Sequence, residues 1–175
     1  MRTMEAPNAS RSSYKFVLPL IFLVIVGGIA SPFLIARLKH SQLTANETAT
    51  LALIRDYSKA QEEKFKANGA YATKFDDLGL SVKLPELDDP KAPPLNGYRF
   101  RILTESIEGT WLDKEGRLVK SYGVLAVPAD YMVTGRDTFL THGTEIFCVD
   151  FDVRTAQITR ELRSFGLPPS AQKVE

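Results

Sequence analysis

Residues 15–68 read KFVLPLIFLVIVGGIASPFLIARLKHSQLTANETATLALIRDYSKAQEEKFKAN, and the fold turns on how that stretch divides. Between 16 and 36 no residue is charged, while Lys15 precedes the run and Arg37 follows it. At ~1.5 Å per residue such a helix is roughly 31 Å long, the thickness of a bilayer's hydrocarbon core. Few soluble cores need a helix that is apolar on every side, so the run reads as a membrane span. Gly28-Ile29-Ala30 resembles a signal-peptidase site and offers a cleaved leader as the alternative. Against that, Phe33-Leu34-Ile35-Ala36 stays apolar beyond the site. Arg2, Arg11 and Lys15 before the run, against Arg37 and Lys39 after it, favour a cytoplasmic N-terminus. Pro32 inside the helix predicts a kink. Gly27 and Ser31 make a small-xxx-small pair, which either admits a second helix or relieves crowding beside Pro32.

Helical character continues beyond Arg37. Residues 42–68 hold no Gly or Pro and are rich in Ala, Leu, Glu, Lys and Gln, and Asn68-Gly69 supplies a stop. Leu43, Thr50, Ile54, Tyr57, Gln61 and Phe65 fall near one face, widened by Leu51 and Leu53. Glu62 and Lys66 form an i,i+4 pair on the opposite side. A helix so patterned lays one face on a domain and leaves the other in water. The stripe also admits a coiled-coil seam, although its repeat is too irregular for strict heptads.

Downstream, Thr73 to Gly79 reads as a short capped turn with Phe75 and Leu78 inward. A polar loop with Pro85, Pro90, Pro93 and Pro94 follows, carrying Glu86, Asp88 and Asp89 without the spacing of a calcium loop. Tyr98, Phe100 and Ile102 alternate with Arg99, Arg101 and Leu103 as a half-buried strand. Residues 113–117 are a turn. Strands are expected at 118–129, from 138, and at 146–151 with 157–162 as a hairpin around 152–155. Four or five short antiparallel strands, apolar on one side, need a cover, and the amphipathic half-helix is long enough to supply it.

Charge is uneven. Residues 1–68 carry nine Lys/Arg against five Asp/Glu, a balance of +4, and residues 69–175 carry thirteen against sixteen, a balance of −3. The second part is mildly acidic and has no basic field to suit nucleic acid. Cys148 is the only cysteine, which excludes an intramolecular disulfide, and its apolar neighbours make it a small buried hydrophobe. His40 and His142 are isolated from each other and from Cys148, at no recognised metal spacing. Asp150 and Asp152 share a strand face, as a hydrolase pair does, but also as the solvated face of an edge strand does. Tyr131 beside Gly135 is a candidate partner-contact loop. No phosphate-cradling glycine loop or nucleophile elbow occurs, so no cofactor, metal or enzymatic activity is expected.

Val26-Gly27-Gly28-Ile29-Ala30-Ser31-Pro32-Phe33-Leu34-Ile35-Ala36-Arg37, with Thr44-Ala45-Asn46-Glu47-Thr48-Ala49, Ala60-Gln61-Glu62 and Asn68-Gly69-Ala70-Tyr71, resembles the N-terminal helix of type IV pilins and secretion-system pseudopilins. The second half also resembles an uncharacterised bacterial domain family with pilin-like features, on residues 97–103, 122–131 and 134–139. The resemblance implies an α+β, pilin-like fold: a long N-terminal helix, half transmembrane and half amphipathic, packed on a small antiparallel sheet. It departs from the pilin pattern in two places. The processing site before a Phe-Thr-Leu-Ile-Glu run is missing, and the position of the family's characteristic glutamate, counted back from Pro32, holds Lys15. In pilins that carboxylate meets a neighbour's terminal amine, so a lysine there inverts the charge and disfavours polymerisation.

The expected organisation is a cytoplasmic tail at 1–15, a span at 16–36, an amphipathic helix at 37–68, a β-rich extracytoplasmic domain at 69–163 and a flexible tail at 164–175. The expected role is that of a single-pass bacterial inner-membrane protein, an accessory subunit that contacts lipid and other membrane or periplasmic subunits. Lys15, Gly27, Ser31 and Pro32 serve as anchor and helix-packing residues in that reading. The alternatives are a minor pilin or pseudopilin of a filament, and an anchored periplasmic ligand-binding or hydrolytic domain.

Overall fold

A computed structural model describes residues 14–89, 91–150, 165, 166 and 171–174, with side chains described from Ala36 onward. The chain divides into two compact units, Met1–His40 and Ser41–Glu175, each described by itself. Helix α1 runs over Tyr14–Asn68. In the first unit the side chains of residues 36–40 are all exposed. Among the described residues no helix is long and apolar enough to cross a membrane. Except for Ala36, the expected span 16–36 lies outside those described side chains, as do Lys15, Gly27, Ser31 and Pro32.

In the second unit α1 is part of the core. Thr50, Ile54, Tyr57, Ser58 and Gln61 are buried, and Leu51 and Leu53 pack partly buried beside them. These positions recur at three- and four-residue steps, so one helical face carries them all. The helix closes where Gly69, at φ 68°, donates its N–H to the Phe65 carbonyl at 2.7 Å. A residue without a Cβ enters this left-handed conformation at no steric cost. The chain then turns back along the helix, and Gln61 clasps it. Its Oε1 accepts from the Ala72 N–H at 2.7 Å, and its Nε2 donates to the Ala72 carbonyl at 3.0 Å and to the Tyr57 hydroxyl at 2.8 Å. The Tyr57 hydroxyl in turn donates to the Gly123 carbonyl at 3.1 Å. A buried amide side chain thus satisfies both polar groups of a buried residue that belongs to no ladder. Around it, Tyr57 meets Phe75 and Tyr122 edge-on, and Phe65 stacks on Tyr71 at 4.4 Å. Phe75 is buried in the short 3-10 turn Phe75–Leu78, as expected.

Among the described residues the strands are β1 Tyr98–Leu103, β2 Glu105–Ser106, β3 Gly109–Thr110, β4 Gly123–Pro128, β5 Asp137–His142, β6 Glu145–Asp150 and β7 Gln172–Val174. Five form one antiparallel sheet in the order β1-β4-β5-β6-β7, and β2 and β3 form a separate hairpin. Strand side chains alternate between faces. The register puts Phe100, Ala126, Phe139, Thr141, Ile146 and Cys148 on one face, with Arg101, Leu125, Leu140 and Phe147 on the other. Ile146 shares a shallow depression with Arg55, Ser58 and Glu62 of α1, which places the helix over the first face. The fold is therefore α+β, one long helix with an antiparallel sheet.

Three expectations need correction. The sheet is not apolar on one side only: Leu125 and Leu140, turned away from α1, are as fully buried as Ala126. The second face carries Trp111 stacked on His142 at 5.1 Å, with Phe165 tilted against His142 at 4.9 Å. The alternation in β1 was a poor guide because β1 is an edge strand, whereas the unbroken apolar run of β4 is that of a central strand covered twice. The strand expected at 118–129 begins only at Gly123, because Val119 and Lys120 both donate to the Trp111 carbonyl and so pair with that segment. His142 ends β5, and the hairpin turns at Gly143, φ 59°, joining β5 to β6. The hairpin partner expected at 157–162 lies outside the described residues. In the tail expected to be loose, β7 pairs with β6, Lys173 opposite Phe147.

Replacing Gln61 by Leu keeps the apolar contact but strands the Ala72 N–H and C=O. We expect a loss of about 1–3 kcal/mol in denaturant unfolding of the full chain. A loss below about half a kcal/mol contradicts the clasp.

Candidate functional site

Between β4 and β5 the chain makes a tight turn over residues 130–135, and its geometry is heavily braced. The Asp130 carbonyl accepts from the Val133 N–H at 3.2 Å, the Thr134 N–H at 2.9 Å and the Thr134 hydroxyl at 3.1 Å. Met132 donates its N–H to the Gly135 carbonyl at 2.8 Å. From α1, the Asn46 side-chain amide donates to the Thr134 carbonyl at 2.8 Å. Glu47 Oε1 accepts from the Arg136 N–H at 2.9 Å and the Asp137 N–H at 3.3 Å. Adjacent polar residues of the helix thus tie down the far side of the turn.

Below the turn lies Tyr98, fully buried, whose hydroxyl donates to the Asp137 carbonyl at 2.8 Å. A Cβ on Gly135 would stand 2.2 Å from that hydroxyl, so the backbone passes over the phenol only because the residue is glycine. Burial pushes the Tyr98 phenol far up, and Glu47 and Asp137 add to it, which keeps it a neutral donor. Tyr131 is half-buried and donates its hydroxyl to Asp150 Oδ1 at 2.9 Å. The Arg136 guanidinium bridges Asp150 at 3.3 Å and Asp137 at 3.4 Å. Burial raises the Asp137 carboxyl above its ordinary value, and Glu47 raises it further, with Arg136 opposing both.

With Tyr131 and Gly135 occupied in bracing, the outward side chains of the turn are Met132 and Val133, 54% and 69% exposed. Met132 holds φ 60°, a left-handed conformation that a side chain of its size seldom adopts. Residue-type reasoning named Tyr131 and Gly135 and passed over this pair. The signal was present in the sequence: two apolar residues between turn-formers, with nothing periodic to bury them. The bracing by Asn46 and Glu47 carried no such signal, since 88 residues separate Asn46 from Thr134.

Of the other expected positions, Asp150 joins the turn through Tyr131 and Arg136, and the rest scatter. Asp150 ends β6, exposed, and Asp152 lies outside the described residues. Glu86, Asp88 and Asp89 are exposed; Asp88 pairs with Arg101, and Asp89 Oδ1 accepts from the Lys91 N–H at 2.9 Å. Cys148 is half-buried, and burial raises its thiol pKa.

A family described as "Protein of unknown function (DUF2950)" matches residues 73–174. The chain belongs to the DUF2950 family. No curated protein and no solved structure matches the chain. The matched stretch of this DUF2950 chain holds every strand among the described residues but not α1, so Ile54, Tyr57 and Gln61, which complete the core, come from outside it.

Two predictions follow from the turn. Gly135→Ala should displace Tyr98 or the turn and lower the thermal midpoint by several degrees, more than Gly116→Ala, which meets no neighbour and bears only the backbone strain of its φ of 76°. Asp137→Asn mimics the protonated state that the native fold favours. The variant should be at least as stable as the parent at pH 7. Its advantage should shrink as pH falls through the raised native pKa, where the parent takes up its own proton. A variant that is less stable at pH 7 and gains relative stability in acid contradicts the sign.

Proposed function

We propose that this DUF2950 chain is a membrane-anchored, pilin-like subunit that works by contact with other proteins, as an accessory component of a complex at the bacterial inner membrane. In this reading the N-terminal tail is cytoplasmic, the 16–36 run spans the bilayer, and the domain stands outside the cytoplasm. It acts as a contact protein and not as an enzyme. The observation that carries the reading is that Thr50, Ile54, Tyr57 and Gln61 of α1 are buried in the domain's core. The stretch of α1 that continues from the apolar run is part of the domain's core, an arrangement that suits a subunit whose anchor and body act together. The braced, outward-facing pair Met132 and Val133 supports a contact role. Lys15, in place of the pilin glutamate, favours a fixed complex over a polymer.

A second reading, a minor pilin or pseudopilin in a filament, draws on the open face of α1 formed by Ser41, Thr44, Ala45, Thr48 and Ala52, small side chains that let another helix approach. Extraction from membranes in mild detergent, followed by sizing and identification of co-eluting chains, separates the readings. One stoichiometric partner is the expected result. A ladder of homopolymers favours the filament, and a chain released without detergent and eluting alone contradicts both.

A further inference from the structure

We propose that Met132 and Val133, presented on the braced turn at 130–135, insert into an apolar pocket rimmed by Lys or Arg on a partner protein. The proposal rests on the contact reading above and names the surface that performs it.

Met132 and Val133 stand exposed side by side at the tip of one turn. They are held outward at a conformational cost: Met132 adopts φ 60°, and the turn that imposes it is fixed by Asn46, Thr134 and Gly135. Strain persists only where surrounding structure over-determines it. A tip fixed in advance loses little further freedom on docking, which favours insertion as a rigid knob.

The surroundings specify the occupant. Asp130 lies in the turn, and Glu47, Asp137 and Asp150 hold its base or the residues beside it, together with the guanidinium of Arg136. Among the described residues, carboxylates thus outnumber cations around the apolar tip. Anionic headgroups would be repelled by that field, which disfavours a lipid surface. A symmetric contact between two copies would set the same carboxylates against each other. A receiving surface with an apolar floor and a basic rim satisfies both the tip and the field.

The test places a photoreactive residue at Val133 in the full-length chain in its native membrane and maps where the crosslink lands. The expected product is one protein other than this chain, joined at apolar residues flanked by Lys or Arg. Asp130→Lys leaves the turn's bracing in place, because Asp130 contributes its backbone N–H and carbonyl to it. That reversal should cut the crosslink several-fold, while Glu108→Lys on the β2–β3 hairpin should not. Met132→Ser with Val133→Ser should reduce retention of the co-eluting partner by about tenfold or more at an unchanged thermal midpoint. Crosslinks to lipid, to a second copy or scattered over many proteins overturn the proposal, as does a yield insensitive to Asp130→Lys. If the partner still co-elutes while the crosslink fails, the contact reading stands and this surface falls. If the chain elutes alone, the contact reading itself falls.

Discussion

The fold of the second unit depends on one clasp: a buried glutamine that holds the returning chain against the helix. Gln61 satisfies both polar groups of Ala72 and a phenol, and that phenol satisfies the carbonyl of Gly123 at the start of the central strand. Helix, turn and sheet are thereby joined by a chain of hydrogen bonds in which each buried group has its partner. Burial raises the Tyr57 phenol well above its ordinary range, so it stays neutral and able to donate. Apolar packing of Ile54, Phe75 and Tyr122 supplies the bulk of the attraction, but it is indifferent to register. The clasp selects which turn of the helix lies over which end of β4, and in doing so brings Asn46 and Glu47 to the opposite end of the sheet.

That placement links core to surface. With α1 in register, Asn46 and Glu47 reach the Thr134 carbonyl and the amides of Arg136 and Asp137, and the β4–β5 turn is held over Tyr98. The apolar tip, its acidic surroundings and the glycine that passes over the phenol are consequences of where the helix sits. A helix moved by one residue would break the braces and loosen the turn.

Much of this was legible in the sequence, and the parts that were not have physical reasons. The stripe through Thr50, Ile54, Tyr57 and Gln61 is a pattern of period 3.6, and periodicity survives without knowledge of the partner. The short turn at Phe75, closed by Gly79 in the left-handed conformation though without a side-chain cap at its start, and the stop at Gly69 are local chemistry. The second covered face was missed because the edge strand β1, with Arg99 and Arg101, advertises a solvated side that the central β4 does not have. The pairing of β7 with β6 involves three residues far along the chain, and so short a strand has no periodic signal. For the same reason the turn's braces were invisible: they join residues some ninety positions apart through single hydrogen bonds. Tyr131 and Gly135 were legible as special but not as braces, since only the positions of Tyr98 and Asp150 assign them that work.

Native-state hydrogen exchange on the full chain tests the central claim most directly. If the clasp makes helix and sheet one cooperative unit, the amides of residues 54–61 and those of β4 exchange only through the same opening, with matching free energies and matching denaturant dependence. Amides in 54–61 that exchange through a much smaller opening than β4 would show a helix merely resting on a sheet that is stable without it, and would contradict the account.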